Sequence, residues 1–128
     1  MLKLITLPTI APHSTNYAQG VSIPAGARLM VSNGHIGTRL DGTSPEDVAT
    51  QTEIIFERLQ LVLEADGMGF TDIAQITTYL TEIPYQEDYK QVRDRIMGEH
   101  KPPNPILIIK DLVRVPLKVK IEILAAKL

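Results

Sequence analysis

The chain has 128 residues, of which 44% are hydrophobic and 22% are charged, and its net charge is −2. This size and composition predict one globular domain over residues 1–128 with a core of ordinary size. The weak acidity argues against nucleic acid as a partner, and the absence of cysteine excludes disulfides and thiol catalysis.

The first ten residues resemble neither a secretory signal nor a membrane anchor. They contain Lys3 and Pro8, and no Ala-x-Ala cleavage site follows them. No apolar run approaches the ~20 residues that a membrane-spanning helix needs. We therefore predict a cytoplasmic protein that makes no contact with a membrane.

The N-terminal third is predicted to form a β-hairpin. Two apolar runs, residues 17–23 and 28–36, flank a turn at 24–27 that contains proline and glycine. Gly34 and Gly37 interrupt the second strand and expose its backbone.

A long amphipathic helix is predicted next. Ser44 is the expected N-cap, with Pro45 at the first helical position and Asp47 at the acidic position of a capping box. Apolar residues recur at helical spacing from Val48 onward, and Asp66 with Gly67 ends the pattern.

The C-terminal half predicts a strand at 73–83, a helix between Pro84 and Gly98, an apolar run at 106–113, and a strand at 119–123. In the second helix, the charged residues, Arg93 among them, are expected to face water. The order β-β-α-β-α-β-β predicts an α+β fold with a mixed sheet and both helices on one face. The other face then needs cover, for which self-association is the simplest solution.

The residue pattern alone offers few candidates for chemistry. The histidines, His13, His35 and His100, are far apart, and no nucleophile spacing, phosphate loop or metal motif is present. Glu122 lies within an alternating strand, where a buried carboxylate must be paired or its pKa rises. A structural role and a functional role both remain open for it.

Basic residues recur near the C-terminus at strand-like spacing. We interpret them as solvated strand faces or intersubunit pairs rather than as an RNA-binding stripe. They are Lys110, Arg114, Lys118, Lys120 and Lys127.

Three segments in order resemble the RidA family, also called the YjgF family. Residues 12–20, with Tyr17, Gln19 and Gly20, resemble its Gly-Pro-Tyr-x-Gln-type motif, and residues 31–36 resemble its Ser-Gly-Gln-Ile segment. Residues 114–123 resemble its C-terminal signature. The resemblance covers nearly the whole chain.

This resemblance implies a chorismate-mutase-like α+β fold, a homotrimer and three clefts between subunits. RidA-type deaminases hydrolyse reactive enamine and imine acids, such as 2-aminoacrylate and 2-iminobutanoate, to 2-keto acids and ammonia without a cofactor. In them an arginine clamps the substrate carboxylate and a glutamate positions or activates water. A tyrosine and the Ser-Gly backbone line the pocket.

The family's site can be carried over residue by residue. Glu122 matches the catalytic glutamate and Tyr17 the tyrosine, while Ser32 or Asn33 matches the serine that precedes Gly34. The main departures are Leu107 at the position of the clamping arginine, Ile109 where deaminases often carry cysteine, and Thr15-Asn16 in place of Gly-Pro.

Loss of the arginine should weaken the binding of an anionic substrate by about 2–4 kcal/mol, on the order of 30-fold to 1000-fold. We therefore predict a poor 2-imino acid deaminase. Arg28, Arg39 and Arg114 are the candidates for a substitute basic residue.

Three kinds of function stay open at this stage. The first is a trimeric protein whose intersubunit pocket takes a small organic molecule, such as a neutral or cationic imine or an acylated amine. The second is an imine deaminase with a substitute basic residue, and the third is a non-catalytic ligand-binding or RNA-directed, endoribonuclease-like protein. Any enzyme among these would be a cofactor-free hydrolase acting on a C=N or C–N bond, whereas a trimer that has lost this chemistry would only pair Glu122 across its interface.

Overall fold

A computed structural model describes residues 1–11 and 16–128 of the chain. Pro12 and His13, with Ser14 and Thr15, therefore lie outside the described residues. The strands are β1 (Lys3–Ile5), β2 (Gly20–Ser22), β3 (Arg28–Val31), β4 (His35–Ile36), β5 (Ile73–Leu80), β6 (Ile106–Ile108) and β7 (Val119–Lys127). The helices are α1 (Val48–Ala65) and α2 (Gln86–Met97), and single 3₁₀ turns cover Phe70–Asp72 and Ile83–Tyr85.

The main sheet has the strand order β3-β7-β5-β6, and β4 also pairs with β7. Strands β5 and β6 run parallel and α2 connects them, whereas β7 is antiparallel to its neighbours. The predicted mixed α+β architecture is confirmed. The predicted run at 106–113 is shorter than expected, since only residues 106–108 pair as a strand.

The predicted hairpin of residues 17–23 and 28–36 is wrong. Strand β2 pairs with β1 in a separate two-stranded sheet, and β3 pairs with β7 instead. The turn signal at 24–27 suggested β3 as the partner of β2, but β1 is the strand that pairs with β2. The second predicted strand is divided into β3 and β4, as the glycine at position 34 indicated.

Alternation along β7 separates the two faces of the main sheet. Val119, Ile121 and Ile123 are buried against the helices, while Lys120 and Glu122 point to the opposite side and are half-buried. The core joins these strand residues to Ile55, Phe56, Leu59 and Leu63 of α1 and to Tyr89 and Met97 of α2. Both helices therefore cover one face, which we call the helix face, and the other is called the open face.

Helix α1 begins three residues later than its predicted first position at Pro45. Asp47 is the N-cap, and its carboxylate accepts hydrogen bonds from the Thr50 backbone N–H and hydroxyl, at 2.8 and 2.6 Å. Ser44 instead lies 3.1 Å from the Thr38 hydroxyl. The hydrogen bonds from Thr50 lower the pKa of Asp47, and the one from the Thr50 side chain contributes most.

Helix α2 differs from its prediction at Arg93, which was expected to face water and is 1% exposed. Its guanidinium lies over the Tyr17 ring at 3.8 Å and near the Tyr89 ring at 5.4 Å. It also donates to the side chains of Asp94 and Asn104. A charged side chain is thus part of the interior, because two aromatic rings, a carboxylate oxygen and an amide oxygen contact it.

The open face carries apolar side chains that no part of the described chain covers. Leu29 is 56% exposed, Val31 72% and Leu107 43%. Their register places Val31 opposite Leu124 and Leu107 beside Tyr79. This face is the one that was expected to need cover.

Candidate functional site

A cavity of about 400 Å³ opens on the open face of the main sheet. It lies where β5 and β7 run side by side, next to the break between β3 and β4. Its volume is within the range of small-molecule sites. The lining residues are Asn33, Gly34, Tyr79, Ile109, Asp111, Leu112, Val113, Lys120 and Glu122.

Glu122 and Tyr79 form the polar centre of this cavity. They project from neighbouring antiparallel strands, and the Tyr79 hydroxyl donates a hydrogen bond to Oε1 of Glu122. This bond raises the pKa of Tyr79 above its ordinary value, with smaller contributions from burial and from the charge of Glu122. The bond fixes the carboxylate and leaves its second oxygen available to a ligand or to water.

The break between β3 and β4 forms a second wall of the cavity. Oδ1 of Asn33 accepts a hydrogen bond from the Gly34 backbone N–H at 2.9 Å. The side chain of Lys120 passes directly over Gly34, so that a Cβ at this position would stand 2.1 Å from Cε of Lys120. Glycine is therefore the residue that leaves room for this lysine.

The structure brings together four of the residues that sequence reasoning placed in a site: Asn33, Gly34, Ile109 and Glu122. Ser32 lies next to them but is buried and serves the backbone. Its hydroxyl donates to the carbonyl of Asn33 at 2.8 Å and accepts from the Ile123 N–H at 2.9 Å. Of the two candidates for the family's serine, Asn33 is the one that lines the cavity.

Tyr17 lies outside the cavity lining within one chain. It is 3% exposed, and its hydroxyl donates to Asp94 at 2.9 Å beneath the guanidinium of Arg93. Burial raises the pKa of Tyr17, partly offset by the positive charge of Arg93. The tyrosine is thus held against α2, with Lys101 Nζ 4.9 Å from its ring centre.

Leu107 sits on β6 in register with Tyr79, and β5 lies between it and Glu122 on β7. It is 43% exposed and does not line the cavity. The arginines considered as substitutes are engaged elsewhere or lie outside the lining. Arg28 pairs with Asp66 at 2.5 Å, Arg114 donates to the Thr38 hydroxyl at 3.1 Å, and Arg39 occupies the turn with Thr43.

Tyr79, Asp111 and Lys120 are cavity residues that sequence reasoning missed. Tyr79 was recognised only as part of a strand, and Lys120 only as one of several basic residues. The sequence carries a signal for Lys120, because it lies two residues before Glu122 on the same strand, and residues two apart on a strand share a face. The pairing of Tyr79 with Lys120 appears only once the register of β5 and β7 is known.

The histidines in the described residues have structural surroundings. Burial and the charge of Arg58 lower the pKa of His35, which pairs with Ile121 in the sheet. Nε2 of His100 lies 2.8 Å from the Ile73 carbonyl oxygen. Residues 1–11 and 16–128 contain no group of three or more side chains suited to hold a metal ion.

Over the same two stretches, neither helix combines the length and the apolar character needed to cross a membrane.

Residues 9–127 match the family model described as Endoribonuclease L-PSP. Among curated proteins, the chain is 36% identical over 84 residues to the RutC family protein YjgH of Escherichia coli, which is 65% of this chain. That alignment spans 63% of YjgH, so the chain covers less than two thirds of this relative. It is also 27% identical over 107 residues to the putative reactive intermediate deaminase TdcF of Escherichia coli, covering 84% of this chain and 81% of TdcF.

Among solved structures, the chain is similar to the Rid-family protein YyfB of Yersinia pestis, a protein of unknown function. The TM-score is 0.86 at 19% identity, with 98% of each chain covered. At this identity the match shows the fold alone, and it agrees with the arrangement of helices and strands described above.

Proposed function

The chain belongs to the Endoribonuclease L-PSP family, also called the RidA (YjgF) family, and we propose that its open-face cavity binds a small organic molecule and presents Glu122 to it as the reactive carboxylate. The observation that carries this proposal is the Tyr79–Glu122 hydrogen bond inside a cavity of about 400 Å³. The bond holds one carboxylate oxygen and leaves the other facing the cavity.

The chemistry proposed for Glu122 is hydrolysis of a C=N bond. The carboxylate takes a proton from water while the oxygen attacks the imine carbon, and it passes this proton to the nitrogen, which gives a carbinolamine. It then transfers the hydroxyl proton of the carbinolamine to the nitrogen as the C–N bond breaks and the C=O bond forms. The imine and one water thus give a carbonyl compound and ammonia. The relatives TdcF and the 2-iminobutanoate/2-iminopropanoate deaminase of Escherichia coli, 26% identical over 108 residues, support this reaction class through their names.

The proposed activity on 2-imino acids is weak. Leu107 offers no hydrogen-bond donor, and a guanidinium is the group best suited to a planar carboxylate because it can donate two parallel bonds. Without it, binding of the substrate carboxylate should be weaker by about 2–4 kcal/mol. A strand of RNA is disfavoured as well, since the lining contains both Asp111 and Glu122.

The proposed assembly is a homotrimer whose cavities lie at the subunit interfaces. Leu29, Val31 and Leu107 support it, because they expose apolar side chains on the face that carries the cavity. A second copy of the chain would bury these side chains and close the mouth of the cavity. Membership of the family favours this assembly.

The test is hydrolysis of 2-iminobutanoate, produced in place by a threonine dehydratase. The wild-type chain should accelerate it little over buffer, whereas Leu107→Arg should gain on the order of 30-fold or more if the rest of the site is intact. Adding Glu122→Gln to the arginine variant should abolish that gain. Leu61→Arg is the matched control, because it adds the same charge on the exposed outer side of α1.

Two results would contradict the proposal in different ways. Efficient turnover by the wild-type chain would mean that Leu107 does not limit substrate binding. An unchanged rate after Glu122→Gln would remove the catalytic role of the carboxylate and leave the cavity as a binding site only.

A further inference from the structure

Among the described residues that line the cavity, Lys120 is the one with a positive charge. It stands between Tyr79, its partner in β5, and Ile36, its partner in β4. Its half-buried stem crosses Gly34, where Cγ and Cδ would both lie 3.1 Å from an added Cβ. The absence of a side chain at Gly34 leaves the space through which this stem passes.

The charge of Lys120 is left without a partner of its own. Among the described residues, no carboxylate oxygen lies within 4.0 Å of its Nζ, and no side-chain hydrogen bond involves it. The ion pairs that do form join Arg28 to Asp66, Arg93 to Asp94 and Arg95 to Glu53. Glu122 accepts the hydrogen bond of the Tyr79 hydroxyl and forms no ion pair with the lysine.

A second donor stands beside this ammonium group. Asn33 is exposed at the cavity, and its Oδ1 is occupied by the Gly34 N–H. Its Nδ2 is therefore the group directed away from the backbone. An ammonium and an amide N–H₂ on one wall form a pair of donors for a single anionic group.

We propose that Lys120, seated on Gly34, is the specificity-determining residue that holds the anionic group of the ligand in this cavity, in place of the donor that Leu107 does not supply. This inference rests on the proposed function in that it takes the same cavity as the ligand site. Lys120 lies on β7, whereas Leu107 lies on β6. The anion is thus held by a point charge instead of a two-pronged guanidinium.

The surrounding charges limit what Lys120 can accept. Asp111 and Glu122 line the same cavity, so one ammonium faces two carboxylates. One ammonium can pair with one negative charge, whereas every further negative charge of a ligand meets only the two carboxylates, which disfavours a dianion such as a phosphate monoester. The ligand class that fits is a small monocarboxylate.

The experiment is a titration of ¹⁵N-labelled protein followed by NMR, with the amide signals of Asn33 and Gly34 as reporters. The probes are 2-oxobutanoate and its neutral counterpart 2-oxobutanamide, neither of which contains a C=N bond to hydrolyse. The variants are Lys120→Met, which keeps the stem and removes the charge, and Lys127→Met. Lys127 is the control because it lies at the far end of the same strand and donates to the Gly67 carbonyl.

We expect 2-oxobutanoate to bind the wild-type chain and the Lys127→Met control alike. Lys120→Met should raise its Kd by about tenfold or more, and added salt should raise the wild-type Kd. The neutral amide should bind all three proteins with similar affinity. Inorganic phosphate should bind more weakly than 2-oxobutanoate.

Gly34→Ala is a second test variant, which keeps Lys120 but displaces its ammonium group. The added methyl group meets only the flexible stem of Lys120, so the fold can accommodate it while the ammonium is displaced. Weaker binding of 2-oxobutanoate by this variant is expected. An unchanged Kd in both Lys120→Met and Gly34→Ala, or no binding of 2-oxobutanoate to the wild-type chain, overturns the proposal.

These outcomes are separate from those of the hydrolysis assay. A charge-dependent titration, with no gain of 2-iminobutanoate turnover in Leu107→Arg, would support the role of Lys120 and remove the catalytic role of Glu122. A gain in Leu107→Arg that Glu122→Gln abolishes, without a charge-dependent titration, would do the reverse.

Discussion

The two faces of the main sheet are built from the same strands and differ in how completely their side chains are partnered. On the helix face, the Thr78 hydroxyl donates to Tyr89 at 2.6 Å, and Tyr89 donates to Asn104 at 2.8 Å. On the open face, the next residue, Tyr79, meets Glu122, while Lys120 has no ion-pair partner among the described residues. The buried network stabilises the fold even though Nη2 of Arg93 finds no partner in it, whereas the groups of the open face are accessible to a ligand or a second subunit.

Apolar truncation should have the largest effect and should separate the two faces. Ile121→Ala removes a fully buried side chain and should cost about 2–5 kcal/mol in the free energy of unfolding. Leu29→Ala removes a side chain that is 56% exposed and should cost under about 1 kcal/mol at low protein concentration. Urea denaturation measures both.

The same pair of variants tests the proposed trimer. If three copies cover the open face, the cost of Leu29→Ala in the free energy of unfolding should grow with protein concentration. The cost of Ile121→Ala should be the same whether or not Leu29 is present. Sedimentation at micromolar concentration should then give the mass of a trimer for the wild-type chain. A monomer, with a concentration-independent cost at Leu29, would contradict the assembly.

Sequence patterns identified the helix face well because burial imposes a period. The alternation along β7 and the helical spacing from Val48 predicted the core correctly. The pairing of β2 was predicted wrongly because a turn signal is local, whereas the choice between β1 and β3 as a partner depends on distant strands. Arg93 was assigned to water because its charge does not reveal that aromatic rings receive its guanidinium.

The open face was predicted less completely. The resemblance to a family placed Asn33, Gly34 and Glu122 in one site, and the structure brings them together. It could not place Tyr79 or Lys120, since their contact with Glu122 and Gly34 depends on strand register and on one glycine. Single-strand alternation gives a side chain its face but not its neighbours.

Substitution of two asparagines, Asn104 in the buried network and Asn33 at the open-face cavity, should give the next largest effects on stability. Asn104→Leu leaves Arg93, Tyr89 and Thr78 without a common partner and should cost about 2–4 kcal/mol. Asn33→Leu removes one contact to the Gly34 N–H at an exposed position and should cost under about 1 kcal/mol. Equal costs of the two substitutions in urea denaturation would mean that the hydrogen bonds of Asn104 stabilise the fold no more than the single bond of Asn33.

The smallest effect on stability concerns Tyr79. Its pKa is raised above 10.0 in the folded chain, chiefly by the hydrogen bond to Glu122. The contribution of this bond is therefore fully present below the pKa of the unfolded chain and is lost as the pH rises through the folded pKa. Tyr79→Phe should leave stability at neutral pH almost unchanged in urea denaturation, because the tyrosine is accessible to solvent.

Titration can isolate the Tyr79–Glu122 bond even though its contribution to stability is small. Glu122→Gln should lower the pKa of Tyr79 toward its ordinary value, as followed by NMR of the tyrosine ring carbons. Tyr85 is the internal control, because its own raised pKa arises from Glu82. If both tyrosines titrate as in the wild-type chain, Glu122 is not held by Tyr79 in solution, and the open face then lacks the fixed carboxylate on which hydrolysis depends.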